Sequence, residues 1–224
     1  MHLQTKIPLQ PSANQFDYDS KMLLVGSCFV ENIGAKLEYF KFQNLVNPFG
    51  ILFHPEAIAR FFEAVAAQMQ FTEADLEEVN GLFVSLDAHS DLGATNSAAA
   101  VEHLNTAIQE TFELLKNATY LVITLGTAWG YRHKKQDKIV ANCHKIPQKE
   151  FEKELASVAQ LKASLLRVLS AVESLNSKAS VIFTVSPVRH IKDGFVENQR
   201  SKAHLIAAVH SVIAKNKRVE YFPS

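Results

Sequence analysis

A chain of 224 residues, 47% hydrophobic and 21% charged, has apolar material for one sizeable α/β domain. Its 23 Lys and Arg balance 23 Asp and Glu, which argues against nucleic acid or an acidic surface as partner. Two cysteines give no disulfide framework or metal cluster, and no apolar run approaches the roughly 20 residues of a membrane span. The first eleven residues lack the apolar core of a signal peptide, so the expected setting is cytoplasmic.

Residues 1–20, with Pro8 and Pro11, read as an irregular lead-in, and residues 21–224 as one domain. The stretch 21–34, K-M-L-L-V-G-S-C-F-V-E-N-I-G, carries the most information. Its apolar run 22–25 ends in Gly26-Ser27-Cys28, and an amphipathic helix is predicted over 30–40, with Val30, Ile33, Leu37 and Phe40 on one face. This is a strand, a tight turn and a helix, with a nucleophile-capable side chain at the turn. Gly26 permits the sharp reversal. Two roles are open for Ser27: a helix N-cap, or a nucleophile set where the N–H groups of a helix start stabilise developing negative charge.

A second short strand is predicted over 42–46, running into the turn-rich loop N-P-F-G-I-L-F-H-P (47–55). Pro55 suits the first turn of a helix reaching about residue 68, and a further acidic helix is predicted over 72–79. Asn80-Gly81 precedes a short β-segment, and residues 87–97 form a polar loop with His89, Ser90 and Asn96. The pattern then gives a long helix over 98–117 and a buried strand over 120–125 that enters Gly126-Thr127. A hairpin pairs 130–133 with 139–144, and two helical stretches fill 148–173. A strand over 181–185 breaks at Ser186-Pro187; a helix over 197–215 and a last strand over 219–222 follow. The alternation argues a parallel sheet with helices on both faces, carrying 55–97 and the hairpin as insertions.

Ligands of an open parallel sheet bind outside the carboxyl ends of its strands. The predicted strands deliver Gly26-Ser27-Cys28, Asn47 and Gly50, Gly126 and Thr127, and Ser186, Arg189 and His190 to that edge. Among nine histidines, His190 is the leading base because it follows a strand-ending Ser-Pro; His144, His89 and His54 come after it. Arg189 has the fork geometry that suits a substrate carboxylate or phosphate. Cys28 is expected to pack as a small buried apolar group.

G-S-C-F-V (26–30) resembles the signature of the GSCFA-domain family, with Val30 in place of its final Ala. The stretches 47–55, L-G-T-A-W-G-Y (125–131), N-C-H-K-I-P (142–147), S-P-V-R-H-I-K-D-G (186–194) and E-N-Q-R-S-K-A (197–203) resemble it too. That family is similar to the SGNH/GDSL hydrolases. The resemblance implies a three-layer α/β/α sandwich around a central parallel sheet, SGNH- or flavodoxin-like, with a small β-hairpin insertion and no cofactor or metal. It implies Ser27 as nucleophile on a small-molecule or glycan acyl ester, with the N–H groups of Ser27 and Gly50 as oxyanion hole. Asn47, Gly126, Thr127, His144 and Arg189 are then the expected substrate-binding residues. The chain departs from the superfamily pattern twice. The oxyanion Asn falls on Ala128, leaving Asn142 or Thr127 as substitutes, and no D-x-x-H motif precedes Ser224. The base is therefore expected either downstream in a longer protein or inside the chain as His190. A non-catalytic binding or scaffolding domain of the same fold is the rival reading.

Overall fold

The computed structural model describes residues 11, 12, 14–189, 191–214 and 216–224. Five parallel strands form the central sheet: β1 (Lys21–Gly26), β2 (Gln43–Val46), β5 (Tyr120–Leu125), β9 (Ser180–Val185) and β10 (Val219–Tyr221). Their spatial order is β10-β9-β5-β1-β2, so the chain steps one way from β1 to β2 and the other way from β1 to β5, β9 and β10. Right-handed crossovers in opposite directions must put their helices on opposite faces. Helix α1 (Cys28–Tyr39) accordingly lies on one face, where Val30, Ile33 and Leu37 meet Met22, Leu24 and Tyr120. Helices α2 (Pro55–Ala66), α3 (Ser97–Leu115), α4 (Val158–Leu175) and α5 (Phe195–Ile213) cover the other. There Leu23, Val25, Leu121, Ile123 and Phe183 meet Ile58, Ile108, Leu165 and Leu205 in the main core. Alternate residues of each strand serve the two faces, as the period of 2 requires. The parallel α/β expectation holds, as a five-stranded sheet with helices on both faces and small antiparallel sheets beside it.

Two predicted helical segments are strands. Residues 72–79 hold only a short 3₁₀ turn, Glu73–Asp75, before β3 (Glu77–Val79) pairs antiparallel with β4 (Leu82–Val84). Asn80 and Gly81 both have positive φ, 53° and 77°, which is the two-residue hairpin backbone that an Asn-Gly pair favours. Residues 151–155, predicted helical, form β8 (Phe151–Leu155). It pairs with β6 (Trp129–His133), which also pairs with β7 (Lys138–Ile139), so the expected hairpin is a three-stranded sheet. Cross-strand partners decide this case: Glu154 forks onto Arg132 at 2.8 and 3.1 Å, and Lys153 lies over the rings of Trp129 and Tyr131. Nor is α2 peripheral, because Ile58, Phe61 and Phe62 are core residues.

Candidate functional site

The sheet order makes the gap between β1 and β5 the switch point, where outgoing chains diverge and leave a crevice at the carboxyl edge. The Gly26-Ser27-Cys28 turn stands on one side of it and Gly126-Thr127 on the other. The two are locked together. The Ser27 N–H donates to the Thr124 carbonyl at 3.1 Å. Gly26 has φ 139°, and a Cβ there would lie 2.1 Å from the Thr124 oxygen, so only glycine permits this approach.

The 47–55 loop braces the turn. Asn47 Oδ1 accepts the Gly26 N–H at 2.8 Å, its Nδ2 donates to Glu31 at 3.3 Å, and the Gly26 carbonyl accepts the Leu52 N–H at 3.1 Å. Asn47 takes φ 44°, a left-handed conformation that Asn tolerates. The Gly50 N–H closes the loop on the Asn47 carbonyl at 2.7 Å. At the loop's end, buried His54 accepts the Glu56 N–H on Nδ1 at 3.1 Å and caps α2. Burial pushes its pKa down to about 4, so it is neutral at physiological pH.

Ser27 is 0% exposed, and its Oγ accepts the Phe29 N–H at 3.4 Å as N-cap of α1. In this structure the N–H groups of Ser27 and Gly50, expected as oxyanion donors, are both bonded to backbone carbonyls. Cys28, expected from the sequence to pack as a small buried apolar group, is half-buried at the first position of α1.

Asn142 and His144 make their bonds elsewhere. Asn142 Oδ1 accepts the His144 N–H at 2.9 Å. The His144 Nε2–H donates to the Ser85 carbonyl at 2.8 Å, and Nδ1 lies 3.1 Å from Ser90 Oγ as acceptor. Burial lowers its pKa, so a neutral ring bolts the 142–145 turn onto the Ser85–Ser90 loop. Arg189 is exposed and forms no ion pair among the described residues. His190 lies outside the described residues.

Helix α5, whose 197–203 stretch carries part of the family resemblance, supplies side chains to which the sequence reading gave no role. Asn198, Ser201, Lys202 and Leu205 recur at the three- and four-residue steps of a buried helix face, yet three of the four are polar. Ser201 Oγ accepts the Ala128 N–H at 2.8 Å and lies 3.1 Å from Thr127 Oγ1. Thr127 Oγ1 in turn accepts the Trp129 N–H at 2.9 Å. Lys202 Nζ donates to the Gly126 carbonyl at 2.6 Å and is close enough to Cys28 to interact electrostatically. Desolvation lowers the Lys202 pKa to about 8, a shift that the Cys28 thiolate would oppose. Beside it, past the end of β9, opens a cavity of about 220 Å³ lined by Ser186, Arg189, Asn198, Gln199, Lys202 and Tyr221 among others. Polar residues on an otherwise apolar helix stripe were the signal available in the sequence.

The structure thus ties Ser27, Asn47, Gly126 and Thr127 into one cluster of hydrogen-bonded turns at the carboxyl edge of the sheet, and Arg189 lines a cavity that Lys202 links to Gly126. Among the described residues no cluster of three or more His, Cys, Asp or Glu is placed to hold a metal ion, and no helix is long and apolar enough to cross a membrane. Neither a search of curated proteins nor one of solved structures finds a match. The profile of the GSCFA family matches residues 21–224, nearly the whole chain, and the protein is a member of the GSCFA family.

Proposed function

We propose that this GSCFA domain is an SGNH-like hydrolase or acyl-transfer enzyme acting on an ester or acyl group through Ser27. The observation that carries the reading is the position of Ser27: it follows β1 at the switch point, as the N-cap of α1. A hydroxyl there faces the positive end of the helix dipole, and first-turn N–H groups have no helical acceptor. Ser27 Oγ attacks the acyl carbon, and its proton passes to a base, the role that the sequence gives to His190. The tetrahedral oxyanion is held by N–H groups of the turn. Collapse expels the alcohol with a proton and leaves Ser27 acylated; water or an acceptor hydroxyl then takes the acyl group and restores the serine. The Ser27 and Gly50 N–H groups are bonded to carbonyls, the Phe29 N–H to Ser27 Oγ and the Val30 N–H to the Ser27 carbonyl, so the Cys28 N–H is the turn donor that this reading assigns to the oxyanion.

A second reading, a binding domain that retains the fold, is favoured by one observation: Ser27 is fully buried and capping its helix. Hydrolysis of p-nitrophenyl acetate and longer p-nitrophenyl esters separates the two. The hydrolase reading expects turnover that Ser27→Ala reduces by about 10³-fold or more. Turnover equal in the wild type and Ser27→Ala would favour the binding domain.

A further inference from the structure

We propose that the cavity past the end of β9, which Lys202 links to the Gly126 carbonyl and to Cys28, is an anion-binding subsite, in which Lys202 and Arg189 receive a carboxylate or phosphate group of the substrate. This deepens the hydrolase reading by naming a substrate class, and rests on it for the word substrate; the binding itself does not. The cavity of about 220 Å³ has room for one small group of this kind. Its lining contains two cationic side chains and the polar Ser186, Asn198, Gln199 and Ser224, and among the described residues no Asp or Glu side chain. Lys202 is half-buried there with no carboxylate side chain in the lining. Several partly buried cations among the described residues are matched by carboxylates: Arg60 and Lys138 by Asp87, Arg132 by Glu154, Arg167 by Glu56 and Glu63.

Lys202 instead spends one donor on the Gly126 carbonyl, a neutral acceptor, and an ammonium has three. That bond fixes Nζ at the Gly126 carbonyl, close to Cys28 and at the wall of the cavity. Desolvation without a matching carboxylate is what holds its pKa down near 8, and an arriving anion would restore the missing charge. Arg189, exposed at the rim and outside any ion pair among the described residues, adds a planar fork for a second pair of oxygens. A substrate acyl group carrying a negative charge at its far end would then lie with its reacting carbon toward Ser27.

Titration calorimetry with inorganic phosphate and with succinate, and with neutral succinamide as control, tests the subsite at pH 7. The expected result is saturable binding of at least one anion and none of succinamide. Phosphate alone would assign a phosphorylated substrate, and succinate alone a carboxylated one. Lys202→Met should weaken binding by 10-fold or more and Arg189→Met by about 3-fold, while Lys202→Arg should recover most of it. The recovery guards against a merely misfolded Lys202→Met protein. Ser27→Ala should bind like the wild type. Absence of saturable binding of both anions, or binding unchanged in both methionine variants, would overturn the subsite. Ser27-dependent turnover without anion binding would leave the hydrolase reading standing alone; anion binding without turnover would do the reverse.

Discussion

The side-chain oxygen of Asn47 accepts the Gly26 N–H at 2.8 Å, tying the loop after β2 to the turn after β1. Asn47 is buried, so its removal leaves that N–H without a partner in a site closed to water. An unmet buried donor costs about 1–3 kcal/mol. Asn47→Ala should lower the melting temperature by several degrees, since 1 kcal/mol corresponds to about 2–4 °C in a protein of this size. A melting temperature within 1 °C or so of the wild type would show that the loop is braced by something else.

Gly26→Ala should be worse. Its Cβ would sit 2.1 Å from the Thr124 oxygen, and backbone atoms of the central strand cannot yield as a side-chain end does. Loss of soluble, cooperatively folding protein is the expected outcome. A well-folded Gly26→Ala protein, by circular dichroism and thermal melting, would contradict the close contact of β1 and β5.

Stability should fall as pH drops from about 6.5 toward 4, in part because of His54. Its pKa falls from the ordinary 6.5 to about 4 on burial, so between those values the unfolded chain binds the extra proton. The contribution is complete above the unfolded value and lost on acidification through the folded one, and amounts to about 3 kcal/mol at most. His54→Gln should flatten the stability profile in that window, measured by urea denaturation at several pH values. A profile as steep as the wild type's would mean that His54 titrates normally.

Lys202 gives the opposite limb of the profile. Its pKa is depressed from 10.5 to about 8, so between these values the unfolded chain again holds more protons, and stability rises with pH across the window. Lys202→Met should remove this rise. Anion affinity should run the other way and weaken above pH 8 as the ammonium is lost. Cys28, Arg189 and Tyr221 also border Lys202, so the comparison is between the wild type and Lys202→Met rather than with an ideal curve.

The two cysteines should differ in reactivity. Cys28 is half-buried at the first position of α1 with the Lys202 ammonium near it, whereas burial raises the Cys143 pKa and keeps that thiol protonated. Iodoacetamide at pH 7.5 should alkylate Cys28 several-fold faster than Cys143, read by peptide mass spectrometry. Preferential labelling of Cys143 would return Cys28 to the packing role that its sequence context suggested.

The parallel sheet was legible because its strands are short apolar runs ending in Gly26, Gly126 and Ser186-Pro187, where the pattern cannot continue. The misread elements, 72–79 and 151–155, are charged segments whose pairing depends on partners outside their own windows: Leu82–Val84 across Asn80-Gly81, and Arg132 opposite Glu152 with Glu154 close by. Local periodicity carries no such information. The same limit applied at the site. Gly26, Asn47 and Gly126 announced themselves by conformation and position, but where their hydrogen bonds go is a property of the assembled edge. His144 looked like a ligand-facing histidine until both ring nitrogens were seen engaged by Ser85 and Ser90. Lys202 was hidden because a lysine on a helix normally reads as solvated surface.

The central claim is that Ser27 reacts, and covalent trapping tests it most directly. A fluorophosphonate with an alkyl chain is incubated with the full chain and with Ser27→Ala, and adducts are located by intact-protein and peptide mass spectrometry. The hydrolase account predicts a single adduct on Ser27, absent from Ser27→Ala and slowed by prior addition of succinate or phosphate if the subsite also holds. An unmodified Ser27 after prolonged exposure, with the fold intact, would contradict the account and leave Ser27 as the N-cap of α1.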